Sequence, residues 1–335
     1  MLRFLLYMLR IRRIEFRIAE IPIVAIPLLI LLRDTSLLKT FYLWEGVFIF
    51  FLLFAFGDMI NCLADRDLDA VYKPHLSEAV YGLGVRFVTF QVVATALFAL
   101  GLSIHLSWVL DRWTLAVLVA MGLLLGAAYS VKPVQLKGRG LVQLVCLWLI
   151  IFVGPMLFVA YLVNADLSVS VLAFAAAYGA LQMGIILVNT AEDYPEDLEA
   201  RITTSVVALG LHRGIELAFW LAGVGSVAVL ITLAVMLNER GISLFRLTVL
   251  IPPLAACFYV LQSIARLRRS IKDKNLPDSI QKVKHAARAV PLWVTLVAWS
   301  ILGATFMLFY LRPNQLVPSI GFFVQHESPT TDSRS

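Results

Sequence analysis

Cysteine is scarce in this chain. Cys62, Cys146 and Cys257 are the only three in 335 residues. Each lies in or beside an apolar run, with no paired spacing and no Cys-x-x-Cys, which excludes a disulfide framework and a zinc site. His75, His105, His212, His285 and His326 are scattered at no ligand spacing. Charge is scarce too: Asp, Glu, Lys and Arg make up 15% of the residues against 60% hydrophobic, and the mean hydropathy is +0.86. Soluble domains carry about 25% charged residues, so the composition excludes one and indicates an integral membrane protein. Also missing is the unbroken apolar core of a signal peptide. The opening MLRFLLYMLRIRRIEFRIAE is interrupted by Arg3, Arg10, Arg12, Arg13 and Arg17. Residues 1–17 read instead as a basic amphipathic segment on the membrane surface.

What is abundant is apolar sequence in long runs. A hydrocarbon core of roughly 30 Å needs about 20 apolar residues per helix. Nine stretches approach that: 18–32, 42–63, 87–109, 113–130, 141–163, 168–190, 216–237, 244–265 and 289–311. The expected fold is an all-α membrane bundle of about nine transmembrane helices over 18–311, followed by a flexible polar tail at 312–335. One side of the membrane would receive the N-terminus and the connections after the second, fourth, sixth and eighth helices. It carries threefold more Lys and Arg than the other side, which makes it cytoplasmic.

That side also carries two matching polar stretches. NCLADRDLDA holds Asn61, Asp65 and Asp69, and NTAEDYPEDLEA holds Asn189, Asp193 and Asp197. Each reads Asn-x3-Asp-x3-Asp at the end of an apolar run. On a helix, four residues advance about 400°, so each triplet shares one face. Downstream, each has a basic residue four positions after its last aspartate, Lys73 and Arg201, and a closing Leu-Gly, Leu83-Gly84 and Leu209-Gly210. A duplicated unit explains this, giving two pseudo-repeated halves around a central cavity. Carboxylates at the bilayer rim are costly unless paired or functional. Hard oxygen ligands of this kind suit Mg²⁺, which takes one or two carboxylates and completes its shell with water and substrate phosphate. Asp67, Glu192, Glu196 and Glu199 fall off the shared faces and are expected to meet solvent or basic neighbours.

Between the motifs, on the same side, lies AAYSVKPVQLKGRG. Tyr129 and Ser130 end a helix, Pro133 prevents its continuation, and Lys132, Lys137 and Arg139 supply cations that suit phosphate oxygens. The layout, the first NxxxDxxxD, the Tyr-Ser-x-x-Pro-type loop with Lys137 and the second DxxxD together resemble the UbiA superfamily of intramembrane prenyltransferases over residues 15–311. The resemblance implies a Mg²⁺-dependent transfer of a polyprenyl group from a polyprenyl diphosphate to a small acceptor in the bilayer, in isoprenoid, quinone or lipid biosynthesis. It further implies Asp65, Asp69, Asp193 and Asp197 as metal ligands. Asn61, with Asn189 added from the internal repeat, would bind diphosphate. Lys73, Lys137, Arg139 and Arg201 would neutralise it, and Tyr129 would stand near the allylic carbon. The chain departs from the family at Asn61-Cys62, where Asn-Asp is common, and at KPHLSEAV, where an Arg-Pro pair is common, so the acceptor is left open.

Two other readings compete. Internal repeats and intramembrane carboxylates also suit a transporter or divalent-cation permease. Against it, both motifs lie at one face and the repeats share one orientation. The basic connection RLRRSIKDKNLPDSIQKVKHAAR, residues 266–288, also suits a scaffold that attracts anionic lipid head groups. The basic surplus, pI ≈ 9.3, is accounted for by membrane sidedness, so no nucleic-acid partner is expected.

Overall fold

The structure, a computed structural model, describes residues 2–32, 34–239, 248–272 and 274–310. The predicted tail at 312–335 and His326 lie outside the described residues. Within them the chain is helical, with no strand and a single isolated backbone bridge, Arg139 to Thr203.

The amphipathic start is helix α1, Leu2–Arg10. It ends before Arg13, whose left-handed backbone (φ 45°) turns the chain into α2, Arg17–Leu31. Two prolines, Pro22 and Pro27, stay inside α2, which packs along the last helix, α15, Val290–Tyr310. Trp299 of α15 donates its indole N–H to the Ile18 carbonyl at 2.9 Å.

The first half continues with α3, Phe41–Tyr72, the short α4, Pro74–Leu83, α5, Val85–Leu110, and α6, Thr114–Ser130. A bent span follows: α7, Val142–Trp148, a π-helical turn over Leu149–Val153, and α8, Gly154–Val163. Pro155 has no N–H to give to the preceding turn, and the widened turn just before it accommodates that loss. The second half holds α9, Val169–Glu192, α10, Tyr194–Glu199, α11, Ser205–Leu209, α12, Leu211–Glu239, and α13, Ile251–Ile271. Helix α14, Leu276–Ala287, leads into α15.

Seven of these segments are long and apolar enough to cross a membrane: α3, α5, the α7 to α8 span, α9, α12, Thr248–Ile271 and α15 up to Met307. The remaining predicted stretches, 18–32 and 113–130, form α2 and α6, which at 15 and 17 residues are short for an upright span. Among the described residues the nine expected stretches thus give seven helices long and apolar enough to cross and two shorter ones.

The internal repeat is visible in the backbone. In both halves a long helix leads into an acidic motif, one short helix follows in the first half and two in the second, and a glycine starts the next long helix. Those glycines, Gly84 and Gly210, have φ of +88° and +82°, a region that strains any residue with a Cβ. Helix α9 is the centre of the bundle, with 72% of its apolar window buried against 33% for α3. Its crossing with α12 is backbone on backbone. A Cβ on Gly184 would stand 2.4 Å from the Ala222 nitrogen, and one on Gly225 would stand 2.3 Å from the Leu181 nitrogen. Small residues permit this approach, which dispersion between closely packed backbones stabilises.

Candidate active site at the junction of the halves

The first acidic motif keeps its helix. α3 runs unbroken to Tyr72, so Asn61, Asp65 and Asp69 lie one turn apart on one face. The second does not. α9 ends at Glu192, Asp193 sits between helices with ψ near 2°, and Pro195 starts the short helix that carries Asp197. The chain still makes an i to i+4 bond there, Asp197 N–H to the Asp193 carbonyl at 2.8 Å, so the motif bends without losing its turn.

Several links tie the motifs together. Lys73, the residue after α3, places its ammonium 2.9 Å from Asp193 Oδ2 in the other half. Tyr72 donates its hydroxyl to Glu199 at 2.6 Å. Lys137, buried in the loop after α6, forms an ion pair with Asp65. Both lysines lie within electrostatic reach of Asp69 and of Asp197. The four aspartates and two lysines are thus linked by two direct ion pairs and by longer-range electrostatics at the end of the bundle.

Burial shapes its charges. Asp69 and Asp197 are 8% and 9% exposed and neither makes a direct ion pair among the described residues. Burial, with the Asp193 charge adding to it, pushes the Asp197 carboxyl up to about 7. Burial works against the Lys73 ammonium, but the charge and hydrogen bond of Asp193 outweigh it and hold that group above its ordinary value. Among the described residues no three His, Cys, Asp or Glu side chains gather into a ready-made metal cluster. A Mg²⁺ ion that takes one or two carboxylates and completes its shell with water and substrate phosphate does not require one. The two buried carboxylates without a direct cation partner are hard oxygen donors of the right type.

The loop between the halves is fixed by backbone and by Gln143. Gly140 N–H donates to the Thr203 carbonyl at 2.7 Å, beside the Arg139 to Thr203 bridge. Buried Gln143 accepts from the Ser205 N–H at 2.8 Å and from its hydroxyl at 2.6 Å, and donates to the Tyr129 hydroxyl at 3.3 Å. Tyr129 is thereby tied to the second half and stands within electrostatic reach of Asp65 and Asp197. Ser130 donates to the Asn61 amide oxygen at 3.2 Å.

The other site residues expected from sequence lie further out. Arg139 is exposed and donates to the Val134 and Pro133 carbonyls of its own loop at 2.7 and 3.4 Å. Arg201 is exposed, at a φ of 56°. Asn189 is exposed one turn before Asp193. Among the off-face acids, Glu196 pairs with Lys284 at 3.1 Å and Asp67 accepts from Tyr81 and faces Arg66.

Sequence reasoning missed three contributors, Arg13, Arg17 and Gln143. Arg13 comes within electrostatic reach of Asp69 and Lys73, and Arg17 anchors the same segment to α3 through Asp58 at 2.6 Å. The clustered arginines before the first apolar run were the available signal. Gln143 offered none, because one amide in an apolar run does not reveal its partners.

Comparison with known proteins agrees with this construction. The profile of the UbiA prenyltransferase family matches residues 21–287. Among curated proteins compared by sequence, none matches. Solved structures share the fold at low identity. A structure of digeranylgeranylglyceryl phosphate synthase aligns with a TM-score of 0.61 at 14% identity, covering 92% of this chain and all of that one. A UbiA homolog from Archaeoglobus fulgidus aligns at 0.61 with 15% identity, covering 91% of this chain and 100% of its own. The same homolog bound to DMAPP and Mg²⁺ aligns at 0.57 with 16% identity, covering 87% and 98%. With the profile spanning most of the chain and the two acidic motifs meeting between its halves, this multi-pass membrane protein belongs to the UbiA prenyltransferase family.

Proposed function

We propose that the protein transfers a polyprenyl group from a polyprenyl diphosphate to a small acceptor within the membrane and releases diphosphate. The observation that carries this reading is the ion pair from Lys73 of the first half to Asp193 of the second, 2.9 Å long. It brings both acidic motifs and a cation to one site. The homolog structures with DMAPP and Mg²⁺ and with GPP and Mg²⁺ support a diphosphate donor and a divalent ion for this chain as well.

Asp65, Asp69, Asp193 and Asp197 would hold Mg²⁺, which supplies Lewis-acid stabilisation of the departing diphosphate. Lys73 and Lys137, now seated on Asp193 and Asp65, turn their ammonium donors to phosphate oxygens as the substrate arrives. Asn61, Asn189, Arg139 and Arg201 complete the polar rim. The prenyl chain lies among the apolar helices, where water is kept from the electron-poor allylic carbon until the acceptor attacks. Tyr129, held by Gln143, places its ring and hydroxyl beside that carbon. The N-terminus and both motifs face the cytoplasm, as the basic connections dictate.

The test is purified protein with Mg²⁺, labelled geranylgeranyl or longer diphosphate and acceptors of aromatic, glycerol-lipid and sugar-phosphate classes. Prenylated product that disappears on chelation supports the reading. Wild-type turnover in both Asp65→Ala and Asp193→Ala would overturn it, as would ion uptake into proteoliposomes without any prenyl substrate. Sidedness is tested by labelling a cysteine introduced at exposed Glu78 in intact and permeabilised cells.

A further inference from the structure

The transfer reaction leaves one cleft with cationic and apolar lining unused. The end of α13, helix α14 and the start of α15 enclose a cleft of about 940 Å³. Its lining mixes cations, Arg266, Lys284 and Arg288, with the apolar Leu267, Ile280 and Trp293. Three neighbouring cations already have partners. Lys282 donates to the Ser270 carbonyl at 2.9 Å and fastens α14 to α13. Arg268 pairs with Glu216, and Lys284 with Glu196 at 3.1 Å. Arg266 and Arg288 are exposed and make no ion pair among the described residues.

A second observation comes from the wall of the same cleft. Trp293 is 4% exposed, yet its indole N–H has no acceptor among the described residues. Indole can only donate, and a buried donor without an acceptor is costly to keep. The cleft therefore offers two guanidinium groups without ion pairs among the described residues and an apolar wall, with an unmet N–H donor buried in the tryptophan of that wall. It also sits at the membrane face that carries the acidic motifs, because Lys284 reaches Glu196 on the short helix of the second motif.

We propose that this cleft binds a phosphate headgroup, and that an anionic membrane lipid is its source. Arg266 and Arg288 take the phosphate oxygens, since guanidinium forks match that geometry, and the apolar wall receives the start of the acyl chains. Free phosphate shares the first interaction and lacks the second. The proposal is independent of the prenyl-transfer reading, and its test needs no turnover.

Full-length protein in a neutral detergent is titrated with short-chain phosphatidic acid, phosphatidylcholine or inorganic phosphate while thermal unfolding is followed. Phosphatidic acid is expected to raise Tm saturably and phosphatidylcholine to leave it unchanged. Arg266→Gln with Arg288→Gln should weaken the phosphatidic acid response roughly tenfold or more, as expected for loss of two charge-assisted contacts. Arg3→Gln with Arg10→Gln, which removes equal charge from the N-terminal helix, should retain it. Should the cleft double variant fail to fold, Trp293→Phe keeps the ring and removes the N–H, and it should weaken the response several-fold. An unchanged response in whichever of these cleft variants folds, or an equal loss in the N-terminal control, overturns the proposal. Saturation by inorganic phosphate with the same arginine dependence overturns the lipid as the source.

Discussion

In the first half Asn61, Asp65 and Asp69 ride a helix that continues unbroken to Tyr72, whereas in the second the helix stops at Glu192 and Asp197 sits on a separate short turn opened by Pro195. The surroundings differ in the opposite sense. The broken motif belongs to α9, clamped to α12 through Gly184 and Gly225, while Gly57 of α3 and Gly101 of α5 face open space. A straight motif on a less confined helix thus meets a bent motif on a tightly packed one. One chemical spacing can be delivered by two backbones, with rigidity supplied by helix continuity on one side and by packing on the other.

The sharpest way to break the comparison is to remove one carboxylate from each half. Asp65→Ala and Asp193→Ala should each lower kcat about 10²- to 10³-fold, the usual cost of losing one preorganised electrostatic contact to developing charge. If only one did so in a single-turnover transfer assay, the halves would not share the work. Next is the link between them. Lys73→Met leaves Asp193 without its partner and removes a phosphate donor, and the loss of about 1.5–3 kcal/mol for a charged hydrogen bond corresponds to roughly 10- to 100-fold in kcat/KM for the diphosphate.

The rigidity argument is tested by paired glycine substitutions. Gly225→Ala drives a methyl group into the Leu181 backbone and should cost about 1–3 kcal/mol by overpacking, read as a lower Tm in detergent. Gly101→Ala, with nothing within 4 Å of the new methyl, should instead be neutral or stabilise by up to about 1 kcal/mol, the helix preference of Ala over Gly.

A proton-linked effect should be of similar size. With the Asp197 carboxyl raised to about 7, it is protonated below that pH and ionised above it. Under the proposed reaction Mg²⁺ would have to displace that proton, so half-saturating Mg²⁺ should rise about tenfold between pH 8 and pH 6. In Asp197→Asn that dependence should flatten. The metal-free fold responds in the opposite sense: a carboxyl raised above its unfolded value contributes stability at low pH and loses it as pH climbs from the ordinary carboxylate range through about 7.

Much of this was legible beforehand because it rests on local chemistry. Apolar runs located the helices, and the four-residue spacing put Asn61, Asp65 and Asp69 on one face. The Leu-Gly pairs, read only as a repeat signature, mark positive-φ positions where helices α5 and α12 begin. What stayed hidden depends on tertiary contact. Spacing alone treated the second motif as straight, although Pro195 lies inside it and splits the helix. Lys73 reads from sequence as a cation for diphosphate, and only the tertiary fold shows it crossing to Asp193. The reach of Arg13 depends on a left-handed turn that nothing nearby in sequence demands. Arg139 and Arg201 show the reverse case, cations in the right stretch whose side chains lie at its exposed edge.

The length of α3 has a further consequence. Its 32 residues rise roughly 48 Å, well beyond a hydrocarbon core of about 30 Å, and Asp65 and Asp69 occupy the emergent end. Under the proposed reaction the two products then part into different phases. Diphosphate is discharged into water, where dilution carries it off, and the prenylated product is retained in the oil. The protein's height thereby makes the reaction one-way in practice, a directionality that no single one of the linked aspartates and lysines provides.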